Sequence, residues 1–216
     1  MNSVWRKICL SVFIIGIIAY TASFSQSLRN PKPDLEPALP YLVITSNYRI
    51  DANGARTDQG QRIRYVKANG EWRQAAYDGT DSKKDSAVLA STEEGVFAKA
   101  SGVPERKAVS QASDQQMQEC FRSVNCLTKQ KSFARIEEVA GLKAYVMRYE
   151  INDTEHPIGW IEQSYSPKTG YIPLRNVKHF RDGSEIVEEA VKVEFKDVPN
   201  DLNSDLNNLP VRQKDK

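Results

Sequence analysis

The sequence predicts a mainly β fold: a curved antiparallel meander, or half-open β-barrel, with one short helix and an N-terminal apolar helix in front of it. Two observations carry the β part. Arg62-Ile-Arg-Tyr-Val66 and Glu71-Trp-Arg-Gln-Ala-Ala-Tyr77 flank Asn69-Gly70, and Asn-Gly between alternating runs is the strongest short-range hairpin signal. In residues 186–195, Val187, Val191, Val193 and Phe195 fall on one face with Glu189, while Glu188, Lys192 and Glu194 line the other with Ala190. That period of two belongs to a sheet with one face in water. A third observation gives the leading helix. Arg6 and Lys7 precede an uncharged run over residues 8–28, centred on Val12-Phe13-Ile14-Ile15-Gly16-Ile17-Ile18-Ala19.

A basic start, an apolar stretch and then small residues is the form of a secretory signal. Thr21/Ser23, Ser23/Ser25 and Ser25/Ser27 each have the spacing a cleavage site requires. The uncharged run is also long enough to serve as a membrane anchor. Residues 1–27 therefore read as signal peptide or signal anchor. Residues 28–40 hold Pro31, Pro33, Pro37 and Pro40 and read as an extended linker. Cys9 lies too early for a lipoprotein cleavage site.

The expected β domain covers residues 41–198. Tyr41-Leu-Val-Ile-Thr-Ser-Asn-Tyr-Arg-Ile50 is β-branched and aromatic and stops at Asp51-Ala-Asn-Gly54. The Asn-Gly hairpin follows and ends at Asp78-Gly79. Residues 78–85 and 101–113 are polar and read as loops, with short strands expected at 86–90 and 95–100. Ser113-Asp-Gln-Gln-Met-Gln-Glu-Cys-Phe121 is the helical patch: Ser113 is a potential N-cap, and Met117 and Phe121 share a face at i, i+4. Strands are then expected at 133–139, 142–149, 158–165, 171–180 and 186–195, broken by Ala140-Gly141, Asn152-Asp153, Ser166-Pro-Lys-Thr-Gly170 and Arg181-Asp-Gly-Ser184. Residues 199–216 are rich in Asn and Asp and read as a disordered tail.

Charge and cysteine content narrow the function classes. Without Arg6 and Lys7, 28 of the 30 basic residues remain against 28 acidic ones, so the exported part is neutral. Nucleic acid and a polybasic membrane patch are excluded as partners on that ground. Cys120 and Cys126 are the only cysteines beyond Cys9; in an oxidising compartment they are expected to form one disulfide, the other reading being two free thiols. No metal or cofactor is expected. His156 and His179 are the only histidines, and no phosphate-binding, dinucleotide-binding, zinc-protease or serine-nucleophile motif appears. Glu137-Glu138 and Glu188-Glu189 are adjacent, point to opposite faces of a strand and read as solvated surface. Catalysis is not expected.

Gly141-Leu-Lys-Ala-Tyr-Val-Met-Arg-Tyr149, Trp160-Ile-Glu-Gln-Ser-Tyr-Ser-Pro-Lys-Thr-Gly-Tyr-Ile-Pro173 and the closing Val193-Glu-Phe-Lys-Asp-Val-Pro199 resemble bacterial envelope proteins of the lipoprotein-carrier superfamily. The resemblance covers about residues 41–210. It implies an unclosed antiparallel barrel with helices plugging its mouth, and binding of lipid or acyl groups or sensing of envelope proteins.

Trp72, Phe97, Met117, Phe121, Tyr145, Met147 and Trp160 are the candidate ligand-binding residues, set to line a groove on a curved sheet under the short helix. The expected protein is exported to the periplasm or the outer side of the membrane. It binds a lipid or other apolar ligand, or else acts as an assembly module with an envelope protein partner, held to the membrane through residues 8–28 if the leader is kept.

Overall fold

A computed structural model describes residues 34–77, 88–92, 95–99, 106–110, 119–207 and 211–212, and the fold they form lies within one compact unit, Leu35–Lys216. The N-terminal apolar helix, Ser113 and Met117 lie outside the described residues. No helix among the described residues is long and apolar enough to cross a membrane.

The fold is mainly β, an antiparallel sheet that stays open. Its strands are β1 (Tyr41–Ile50), β2 (Arg56–Val66), β3 (Trp72–Tyr77), β4 (Val88–Thr92), β5 (Gly95–Lys99), β6 (Arg106–Ser110), β7 (Phe133–Val139), β8 (Leu142–Glu150), β9 (Ile158–Tyr165), β10 (Arg175–Phe180), β11 (Glu185–Phe195) and β12 (Val211–Arg212). Among the described residues the helices are α1 (Val124–Lys129) and α2 (Ser204–Asn207), and residues 119–121 are helical as well. Sheet order is β12-β6-β5-β4-β3-β2-β1-β11-β10-β9-β8-β7. Two meanders, β1 to β6 and β7 to β11, thus meet at the antiparallel β1–β11 pair. Only β12 runs parallel to its neighbour, β6.

The local turn chemistry acts as expected. Ala140-Gly141 joins β7 to β8 with positive φ at both residues (50° and 76°), the twist a two-residue hairpin needs. Two bulges depart from simple alternation. On β2, Gln61 pairs with Ser46 but Asp58 with Tyr48, so Gln59 and Gly60 oppose Asn47 alone. Gly60 supplies the positive φ of 90° there, and pairing resumes beyond it. This is why β2 starts at Arg56 rather than near Arg62. On β11, Lys192 pairs with Ile44 but Ala190 with Thr45, leaving Val191 over. The one-face pattern expected for Val187, Val191, Val193 and Phe195 is therefore broken: Val187 stands beside Tyr48, Val193 beside Val43 on the other face, and Val191 is 52% exposed.

Three further differences follow from long-range pairing. β6 lies within residues 101–113, read from polarity as a loop. β10 begins at Arg175, because residues 171–173 stand away from the sheet after the turn at Ser166, where Thr169 and Gly170 donate to the Ser166 carbonyl; Leu174 already bonds to Ser164 and Ala190. The C-terminal stretch, read as disordered from its composition, carries Leu202 and Leu206 into the interior. Leu206 packs on Ala90 of β4, and the Leu202 carbonyl accepts from Arg73 of β3. At the other end of the unit the Glu36 amide donates to the Arg122 carbonyl, so residues 35–36 already belong to the folded part.

The largest buried cluster joins Tyr41, Val43, Val66, Val139, Ala144, Ile172, Leu174 and Ala190. It is the point where both meanders and the 166–174 connection pack together. Because Leu206 is only 1% exposed, Leu206→Ala is expected to cost about 2–4 kcal/mol in urea unfolding, whereas a tail without structure would give no change.

Candidate functional site

Tyr145 of β8 pairs with Tyr165 of β9, and Met147 stands two residues on, so all three share one face of the sheet. α1 covers them. Ser123 caps the helix, its hydroxyl accepting from the Cys126 amide at 3.2 Å, and Leu127 points inward with no exposure. Cys120 and Cys126 are joined in a disulfide that ties the helical residues 119–121 to α1. Phe121 reaches the same cluster, its ring 4.3 Å from that of Tyr165, and Phe133 and Val124 close the sides. Burial raises the Tyr165 phenol above its ordinary pKa. Ile136, paired with Tyr145, and Tyr149, two residues beyond Met147, continue the apolar stripe into solvent at 49% and 39% exposure.

Three of the expected residues, Phe121, Tyr145 and Met147, therefore converge beneath α1. Trp160 does not join them. It lies on the opposite face, stacked on His179 at 4.5 Å, with the Arg148 guanidinium 4.7 Å from its ring. Trp72 packs on the large cluster near Tyr41 and Val66, and Phe97 is buried on β5 opposite Ala90. Met117 lies outside the described residues.

The face opposite Tyr145 carries a chain of ion pairs crossing several strands. Arg135 of β7 grips Glu162 of β9 with two hydrogen bonds, 2.9 and 2.8 Å. Ser164 donates to Glu137 at 2.5 Å. Arg175 of β10 stands between Glu137 (3.8 Å) and Glu189 of β11 (3.9 Å), and the Tyr48 hydroxyl donates to Glu189 at 2.9 Å. Glu137 and Glu189, read from the sequence as plain solvated surface, are thus cross-strand ties. Ser164 is 1% exposed and holds a carboxylate rather than a histidine, so it is not set up as a nucleophile. Among the described residues no group of three or more His, Cys, Asp or Glu is placed to hold a metal.

A polar row occupies the middle of the Tyr145 face. The Tyr165 hydroxyl donates to Gln163 at 2.7 Å. Gln163 pairs with Asn176, Asn176 with Glu188 and Glu188 with Asn47, so β9, β10, β11 and β1 each place one polar side chain in line. Arg64 of β2 lies 3.4 Å from Glu188, bonds Gln74 of β3, and sits with its guanidinium 5.3 Å from the Trp72 ring. Burial pulls its pKa down, against the nearby Glu188 charge that holds it up. No part of this row was anticipated, because it needs the β1–β11 pairing that joins distant segments.

No family profile and no curated protein matches the sequence. Solved structures do resemble it in fold. An uncharacterized conserved protein from Thermus thermophilus is 10% identical, with a TM-score of 0.45 over 82% of this chain and 91% of that one. PNGF-II gives 18% identity and a TM-score of 0.48 over 83% of this chain; the match spans 32% of that longer chain. A LolA superfamily protein from Nitrosomonas europaea gives 11% identity and a TM-score of 0.40 over 79% and 93%.

The Arg135–Glu162 pair generates a pH prediction. Hydrogen bonding from Arg135 holds the Glu162 carboxyl below its ordinary pKa. A carboxyl depressed in the folded state contributes stability above its unfolded pKa, about 4.3, and loses it as pH falls through the folded value. Glu162→Gln is expected to cost about 1 kcal/mol in urea unfolding at pH 7, with the gap to the parent narrowing as pH falls below about 4.3.

Proposed function

We propose that this chain is an exported, non-catalytic binding protein of the cell envelope that takes up an acyl chain or similar apolar ligand between α1 and the β8–β9 face. The leader read from residues 1–27 supports export, to the periplasm or the outer side of the membrane. The observation that carries the binding reading is the cover over the cluster. Phe121, Tyr145, Met147 and Tyr165 are closed off by a helix of 6 residues that presents Leu127 to them. Such a helix is not stable by itself and holds its place through the Ser123 cap, the disulfide and one buried leucine. Moving it aside breaks few interactions, while the sheet beneath stays in register. Ile136 and Tyr149 extend the apolar surface to the rim, where a ligand first lands.

A second reading, a protein-interaction module tethered by residues 8–28, is favoured by a different observation. Among the described residues β7 ends the sheet with one row of its backbone groups unpaired, which suits strand addition by a partner, and Ile136 stands exposed on it.

Purification of the exported protein without detergent, followed by solvent extraction and mass spectrometry, tests the first reading. Near-stoichiometric lipid is expected, and Ile136→Glu should cut it several-fold with Tm unchanged. A lipid-free protein that also fails to bind a fluorescent fatty acid contradicts it and leaves crosslinked protein partners as the alternative.

A further inference from the structure

The polar row on the Tyr145 face holds buried atoms that lack partners among the described residues: the Thr45 hydroxyl, Arg64 Nε and Asn176 Oδ1. Thr45 is only 2% exposed. Regular β1 alternation puts it on the same face as Val43, which pairs with Arg64, and Asn47, which pairs with Glu188. Three orphaned groups thus gather around one place on β1, β2 and β10. A buried polar group without a partner is destabilising, and natural folds seldom keep several together without a use.

We infer that this row seats the head group of an amphiphile, uncharged and rich in hydroxyl or amide groups, whose apolar part lies beneath α1. The inference rests on the binding reading above and names the ligand's polar end. Its chemistry follows from the orphaned atoms. Arg64 Nε donates, Asn176 Oδ1 accepts and the Thr45 hydroxyl does both, which suits hydroxyls and amides in alternation. A phosphate is disfavoured: the Arg64 guanidinium already faces Glu188, and a second anion would meet that carboxylate. Asn176 and Asn47 stand two strand spacings apart, about 10 Å, the span of one or two sugar rings. The Tyr165–Gln163 hydrogen bond marks the border, with apolar side chains on one side and the row on the other. Gln163, Asn176 and Glu188 are only half buried, so the row reaches solvent at these side chains, with its unpartnered atoms buried beneath them.

The test uses the delipidated exported protein and three probes: octyl glucoside below its micelle concentration, octyl sulfate and free glucose, followed by calorimetry. Octyl glucoside is expected to bind at least about tenfold more tightly than octyl sulfate. Thr45→Val and Asn176→Ala should each weaken octyl glucoside about fivefold and leave octyl sulfate unchanged. Thr45→Val should not lower Tm, because it removes a hydroxyl without a partner. If both alkyl ligands bind equally and neither variant matters, the orphaned atoms are met by water alone; the head-group inference falls and the acyl site stands. If neither alkyl ligand binds, the binding reading falls with it. Free glucose binding as tightly as octyl glucoside also overturns the inference, since the row would then act apart from the apolar cluster.

Discussion

The pairing of β1 with β11 joins the two halves of the sheet, and most of what lies on either face depends on its register. It brings residues 41–50 against residues 185–195, so the cost of closing that long loop must be met by the contacts the pair makes possible. Those contacts are extensive. Tyr41, Val43 and Ala190 enter the largest cluster, while Tyr48 and Val187 build a second one with Val177 on the other face. The two bulges tune this junction. Val191 on β11 and Gln59–Gly60 on β2 each shift the pairing by one residue, which decides which side chains meet. Without the first, Val193 would leave the face it shares with Val43.

The two faces use their polar groups differently. On one, Arg135, Glu162, Glu137, Arg175 and Glu189 link β7, β9, β10 and β11 in alternating charge, and Tyr48 carries the chain to β1. Small residues lie beneath these long side chains, including Val146 and Ser164, which are almost fully buried. Opposite charges on neighbouring strands hold register; on the same face His179 Nε2 is buried without a partner among the described residues. On the other face the aromatic–methionine cluster and the polar row lie side by side, with a short covering helix and with unpartnered atoms.

What the sequence made legible was local. Asn69-Gly70 and Ala140-Gly141 mark their hairpins because turn backbone conformation is written in a few adjacent residues. Phe121, Tyr145 and Met147 pack in one cluster, and strand alternation already places the last two on one face. Trp160 was grouped with them and belongs to the other face, since its side of the sheet depends on the β8–β9 register. Trp72 and Phe97 were separated from the rest by strand order. The burial of Leu202 and Leu206 was hidden by the Asn and Asp around them, as composition does not reveal that a chain end returns to cover β3 and β4. Glu137 and Glu189 were read as solvated because their arginine and tyrosine partners come from other strands.

The central claim is that an apolar ligand enters beneath α1, and its most direct test is where a bound chain sits. With methyl-13C methionine in the exported protein, a fatty acid bearing a paramagnetic nitroxide should strongly broaden the Met147 methyl resonance. It should leave the indole signal of Trp160, on the opposite face, sharp. Broadening of Trp160 with Met147 unaffected at saturating ligand would contradict the account.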